Sequence, residues 1–482
     1  MRLVAAATTG NAQCTAASAL LNVAQVVSRW ALRVVGLHRG VCETPALVAL
    51  DGGAADARRR EGANHQATRA HRHLCRFSTA GLALLFGLGV APSVAAQQNP
   101  TRREPVAQGA TAESERFHIR AGGEIAGYTD TNGVSVLSPS AAAKLTTADG
   151  NWSARGSYLM DIVSAASVDI VSSASSRWTE VRQEGVLGVD RQLSSRARLS
   201  VDTAVSYEPD YLSIGGGALL RLEPGNRQLN PTFGYSFTHD TAGRTGTPFS
   251  VYSKSLAIHT LNLGLETIVD RSTVAFFELD GTLELGDSAK PYRFLPLFAP
   301  EVAPLVQPGA SLETVNQLRL PGRIAERVPN ERLRVAAFAR FSRRFRESSL
   351  IASERLYVDD WGLEASTTDV RYLFVLSPRI SALLDARWHI QNEVSFWNRA
   401  YTSTLTAGGV SVPYYRSGDR ELSSLWVATL GAGLRYGLGP AAEANRAAIS
   451  VQFDESATRF LDTLYIAGRW AHLLVVQIES EF

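Results

Sequence analysis

Residues 471–482 read Ala-His-Leu-Leu-Val-Val-Gln-Ile-Glu-Ser-Glu-Phe. Strand side chains alternate between two faces, so Leu474, Val476, Ile478, Ser480 and Phe482 share one side and Gln477, Glu479 and Glu481 the other. One face suits lipid and the other water. Taken alone, the stretch fits either the last strand of a membrane-spanning barrel or the edge strand of a soluble sandwich. The rest of the chain has to separate the two.

Working back from that end, the same alternation recurs in segments of ten to fifteen residues, the repetitive signature of a transmembrane barrel. In Arg196–Glu208, Leu199, Val201, Val205 and Tyr207 oppose Arg198, Ser200, Asp202, Ser206 and Glu208. In Ile380–Gln391, Ile380, Leu384, Trp388 and Ile390 oppose Asp385, Arg387, His389 and Gln391. Asn151–Val163, Leu256–Val269, Val274–Leu285, Leu425–Leu438 and Ala448–Asp454 follow suit. Connections alternate in length, as short periplasmic turns and long extracellular loops do. Short turns are expected at 148–150, 190–195, 223–227, 270–272, 346–348, 377–378 and 439–445, and long connections at 165–177, 241–254, 287–332 and 394–423. The count is about 16 strands, or 14 if Ser213–Leu222, blurred by three glycines, is dropped. Closure pairs Ala471–Phe482 with Phe117–Tyr128 and removes both edges. Trp152, Trp178, Trp388, Trp426, Tyr436 and Trp470 fall near strand ends, where interfacial girdle residues belong.

No apolar run beyond residue 96 is long enough for a membrane helix. Before it, Arg69, Arg72 and Arg76 precede the apolar Phe77–Val90, and Val94-Ala95-Ala96 supplies small residues, so residues 69–96 read as a secretory signal peptide. Residues 1–68 read as a start site assigned too far upstream or a disordered extension, and 97–114 as a short periplasmic tail. Cys14, Cys42 and Cys75 all precede the cleavage point, which leaves the exported chain without thiol or disulfide chemistry. Of 48 Lys and Arg, ten lie before residue 97, and of 46 Asp and Glu, four do; the remainder is 38 against 42. The exported chain is mildly acidic, and its charge points to no nucleic-acid partner.

The C-terminal strand resembles the closing strand of bacterial outer-membrane barrels, with Ser480 where those barrels usually carry a larger apolar residue. Three groups of phrases resemble, in order, an uncharacterised family of Gram-negative outer-membrane barrels described only as a domain of unknown function. They are Asp161–Asp169 with Ser172–Ser175 and Glu180-Val181-Arg182; Glu208, Asp210, Tyr211 and Ser213; and Arg355, Tyr357, Asp359-Asp360-Trp361-Gly362 with Arg387, Gln391, Phe396-Trp397 and Tyr401. The resemblance implies barrel architecture and outer-membrane location, and it implies no substrate or reaction. It also makes membrane lipid one partner and the barrel-assembly machinery another, with Phe482 as the assembly signal.

The candidate functional residues follow from this fold. Asp385, Arg387, His389 and Gln391, with Arg198 and Asp202, are expected to line the lumen and set charge selectivity. Arg340, Ser342 and Arg344 are placed to oppose Asp280 and Glu284. At the extracellular rim, His239, Asp240, Asp359, Asp360 and Trp361 are candidates for binding or, as two acid-containing pairs, for hydrolysis. Adjacent strand residues point to opposite faces, however, which works against a shared catalytic cleft. His259 and Ser255 do not make a lipid hydrolase without a third group. No cofactor or metal is expected. The reading is a porin-like channel for small solutes or ions, with the long 287–332 connection able to fold inward; a surface barrel acting through its loops, or a rim hydrolase, are the alternatives.

Overall fold

The computed structural model describes residues 117–165, 178–225, 228–406, 409–439 and 446–482. The expected leader, extension and tail, and the connection after residue 165, lie outside them. Sixteen strands form one closed antiparallel barrel. In chain order they are β1 (Phe117–Asp130), β2 (Val134–Thr147), β3 (Trp152–Ala165), β4 (Trp178–Ser194), β5 (Ala197–Glu208), β6 (Tyr211–Leu222), β7 (Leu229–Ala242), β8 (Lys254–Asp270) and β9 (Thr273–Gly286). The series continues with β12 (Glu331–Arg344), β13 (Ser348–Asp359), β14 (Glu364–Ser377), β15 (Ile380–Gln391), β18 (Leu425–Gly437), β19 (Ala447–Phe460) and β20 (Gly468–Glu481). Between β9 and β12 stand the short strands β10 (Phe294–Pro296) and β11 (Arg323–Ala325) and the helix α1 (Leu312–Leu318); between β15 and β18 stand β16 (Thr404–Thr406) and β17 (Gly409–Ser411).

Each barrel strand pairs with its neighbour in sequence, and β1 pairs with β20 to close the ring, Arg120 opposite Glu481 and Asp130 opposite Ala471. The predicted closing pair is therefore the observed one. Segment 213–222 is a strand too, which settles the count at sixteen. Its glycines are there for close approach: a Cβ on Gly215 would lie 2.8 Å from Thr238 Oγ1, and one on Gly216 would lie 3.0 Å from Asp202 O.

One turn falls later than its polar residues suggest. β4 runs through Asp190 to Ser194, because Asp190 is a lumen-side residue whose carboxylate is held by Ser153, Arg155 and Ser200 rather than a turn former.

Alternation sets the two faces of the wall. Val201, Val205 and Tyr207 stand outside, as do Leu187, Leu384, Leu430, Val476 and Ile478, each at least 41% exposed. Such an apolar exterior is what a hydrocarbon surrounding requires. Among the described residues no helix is long and apolar enough to cross a membrane. Trp152, Trp388, Tyr436 and Trp470 are exposed on the outside, and Trp388 stacks on Trp426 at 5.2 Å. Glu354 departs from the apolar exterior; its carboxylate accepts hydrogen bonds from Ser366 Oγ at 2.5 Å and Thr368 Oγ1 at 2.6 Å.

Candidate functional site

The lumen-side residues are the polar half of each alternating strand, and most charges there find a partner along the wall. Arg155 reaches Asp190 at 2.7 Å and Asp202 at 3.5 Å, Arg221 meets Glu266 at 2.8 Å, Arg334 meets Glu284 at 2.5 Å and Arg355 meets Asp280 at 3.3 Å. Glu479 joins Arg120 at 3.1 Å to Arg435 at 2.9 Å across the closing seam. Among the described residues, every ion pair between two barrel strands joins neighbours or next-but-one neighbours in the ring. None reaches across. Arg334 and Arg355 rather than Arg340 and Arg344 therefore answer the acids of β9, while Arg340 lies over Phe276.

Asp385, Arg387, His389 and Gln391 occupy one lumen-side face of β15. His389 Nδ1 bonds Thr367 Oγ1 at 2.8 Å and its Nε2 faces Gln391 at 3.2 Å, while Gln391 donates upward to the carbonyls of Glu421 and Ser423, both at 2.8 Å. Asp385 shares a row with Gly431 and Asp454 on the next two strands. A Cβ at Gly431 would collide with both carboxylates, so the glycine is what allows the two acids to lean together. Arg198 is bound to Gln192 and to the carbonyl of Gly150 near the periplasmic turns, and Asp202 is at the wall with Arg155.

The rim candidates are not brought together. His239 is exposed on the outer face, whereas Asp240 turns inward and accepts from Ser213 Oγ at 2.7 Å. Asp359 is fully buried beneath Arg332, Tyr357 Oη at 2.9 Å and the Leu363 amide at 2.9 Å, and Arg332 stacks over Trp361, itself buried. Asp360 is exposed beside it, its carboxyl raised from the ordinary value by desolvation. These groups hold the rim together, and they offer no acid and base sharing one substrate position.

The mouth carries the arrangement that alternation does not reveal. Loops 287–330, 392–424 and 461–467 fold against one another into a cap. Phe298, Val306 and Val315 are fully buried with Ala400, and Ala289, Val328, Trp361, Leu363 and Val394 form a second cluster. Backbone bonds sew the loops together: Phe298 N to Tyr401 O at 2.9 Å, Arg416 N to Arg327 O at 2.7 Å, and Gly309 N to Thr463 O at 2.7 Å. At the centre, Arg293 bridges Glu326 at 3.2 Å and Asp419 at 2.8 Å, and Ser417 Oγ donates to Glu326 at 2.6 Å. Desolvation works against the charge on Asp419, but the Arg293 guanidinium outweighs it and holds this carboxyl below its ordinary range. Burial, with Arg293 alongside, lowers the Lys290 ammonium. Glu180, Glu208 and Asp210 form an acidic group at the top of β4–β6, their carboxylate oxygens within 4.8 Å of one another. The sequence placed Glu208 and Asp210 in one phrase and Glu180 in another; only the pairing of β4 with β5 unites them.

Residues 252–455, which include the two longer cap loops, match the model of a family described as a protein of unknown function (DUF3570). The match agrees with the resemblance to an uncharacterised barrel family of unknown function. None of the curated proteins matches the sequence. Among solved structures, the siderophore receptor PirA from Pseudomonas aeruginosa aligns with a TM-score of 0.36 and 8% identity, over 71% of this chain and 56% of its own. OccK5 (OpdH) from Pseudomonas aeruginosa aligns at 0.36 and 7%, over 76% and 99%, and a bacterial polysaccharide outer membrane secretin at 0.40 and 9%, over 76% and 98%. The chain spans about half the length of the siderophore receptors it matches. The matched segment and the strands around it form an outer-membrane-type β-barrel by their own pairing and apolar exterior.

Proposed function

We propose that this barrel is a channel for small polar solutes or ions, narrowed at its extracellular mouth by the cap and lined by charges that set selectivity. The observation that carries the reading is the arrangement of lumen charge. The ion pairs run along the wall, joining strands no more than two apart, and a barrel of sixteen strands is wide enough for the space inside such a lining to hold water. Arg120, Arg155, Arg355 and Arg371 keep 36 to 47% of their side-chain surface accessible, as groups at a wetted wall do. Solute selectivity would then come from charges such as Asp385, Asp454 and Arg387 acting on ions that pass. The exposed Tyr414 and Leu305 on the cap favour the second reading, a surface barrel that acts through its loops.

Single-channel recording in planar bilayers separates the two. The intact protein should give small ohmic steps, and replacement of residues 288–329 by a short Gly/Ser link should enlarge them several-fold. A folded, heat-modifiable barrel that stays silent in both forms would sink the channel reading and turn attention to the loops.

A further inference from the structure

We infer that the cap is a lid, latched at its far edge by the phenol of Tyr292, and that release of this latch opens the mouth on the side of β5–β7. The proposal rests on the channel reading and adds a moving part to it. The three cap loops spring from the β9–β12, β15–β18 and β19–β20 connections, so their covalent roots lie along one arc of the ring. Lys254 fastens the root of the first loop, its Nζ 3.0 Å from both Asp287 Oδ2 and the Ala289 carbonyl. Tyr292 lies beyond that root and reaches the adjoining arc, over β5–β8. Its hydroxyl donates to Asp210 Oδ2 at 3.1 Å and accepts from the Thr245 amide at 2.6 Å, while Thr245 Oγ1 donates to the same Asp210 oxygen at 3.3 Å.

Asp210 belongs to the β5–β6 hairpin and Thr245 to the β7–β8 connection, so one side chain of the cap clips two separate hairpins. Asp210 also suits the task. It is buried beside Glu180 and Glu208, and in such company a neutral O–H donor satisfies a carboxylate oxygen without bringing in another charge. The cap would move as one body when the latch opens, because its loops share apolar clusters and inter-loop backbone bonds, and packed units of this kind switch between discrete positions.

The test uses the full chain with Cys14, Cys42 and Cys75 changed to Ala and spin labels on Val251→Cys and Leu305→Cys, two exposed positions on the latch side and on the cap. Pulsed electron-electron resonance should give one dominant distance in the parent. Tyr292→Phe keeps the ring and removes the hydroxyl, and it should raise a longer-distance population roughly tenfold, the factor that loss of a charge-assisted hydrogen bond implies. Asp210→Ala, an independent cut that removes the acceptor, should move the distribution the same way, with heat-modifiable migration confirming that each variant folds. Distances unchanged in both variants would overturn the latch, whatever the conductance. A longer-distance population in a barrel that never conducts would uphold the lid and remove the channel beneath it.

Discussion

The wall of the barrel and the cap over its mouth hold charge in opposite ways. On the wall, Arg155 links the buried Asp190 to Asp202 and stays 36% exposed itself, and each pair can be lost without opening the ring because backbone ladders on both sides carry the strand. In the cap, Arg293 sits between Glu326 and Asp419 where two loops meet, with the Glu326 side chain only 2% exposed. There the side chains add to a few backbone bonds in place of a continuous ladder. The wall is therefore tolerant and the cap brittle, and residues 252–455 contain both kinds of construction.

The largest test of this contrast is Arg293→Ala. It strands a buried carboxylate at the cap's centre at a cost of about 3 to 5 kcal/mol, so protease cleavage within 287–330 should accelerate while the barrel still migrates as a folded species. Phe298→Ala follows, with about 3 to 4 kcal/mol from the cavity left in the cap's apolar cluster, read as a lower first transition in thermal melting ahead of an unchanged barrel transition. On the wall, Asp190→Ala removes the acceptor shared by Ser153, Arg155 and Ser200 and should lower barrel stability in urea by about 2 kcal/mol. An equal or larger loss there than at Arg293 would erase the distinction.

Acid gives a smaller effect with a definite sign. Asp419 has a depressed pKa in the folded cap, so its contribution is present above the ordinary carboxylate value of about 3.9 and is lost as pH falls through the lower folded value. Cap protection against an acid-active protease should fall below about pH 4 in the parent and change less in Asp419→Asn. Smallest of all, Asp385→Asn with Asp454→Asn should leave stability nearly unchanged and move the reversal potential in a salt gradient by several millivolts toward anion preference. No movement would show that this pair of acids lies off the ion path.

The same contrast explains what was legible before any coordinates. The wall follows from side-chain period, which is why β5, β15 and the β1–β20 closure are readable within a residue or two of their ends. Asp190 misleads because an acid beside Arg and Gln resembles a turn, and only its three partners on neighbouring strands show it to be part of the wall. The cap has no period to read. Phe298 and Tyr401 are distant in sequence and meet through long-range packing, and Tyr292 becomes meaningful only beside Asp210 and Thr245. Rim pairs such as His239-Asp240 were legible as groups but not as sites, since the strand sends one outward and the other inward.

The seam between β1 and β20 has a consequence in time. All other barrel neighbours are consecutive strands, but here Arg120 bonds Glu479, 359 residues further along the chain. Such contacts make a topology slow to complete, because a long loop must be closed before it is rewarded. While the chain folds, the first strand must wait for the last with an open hydrogen-bonding edge. A shortened chain that lacks β20 would therefore leave a lasting edge open to aggregation rather than a slightly smaller barrel.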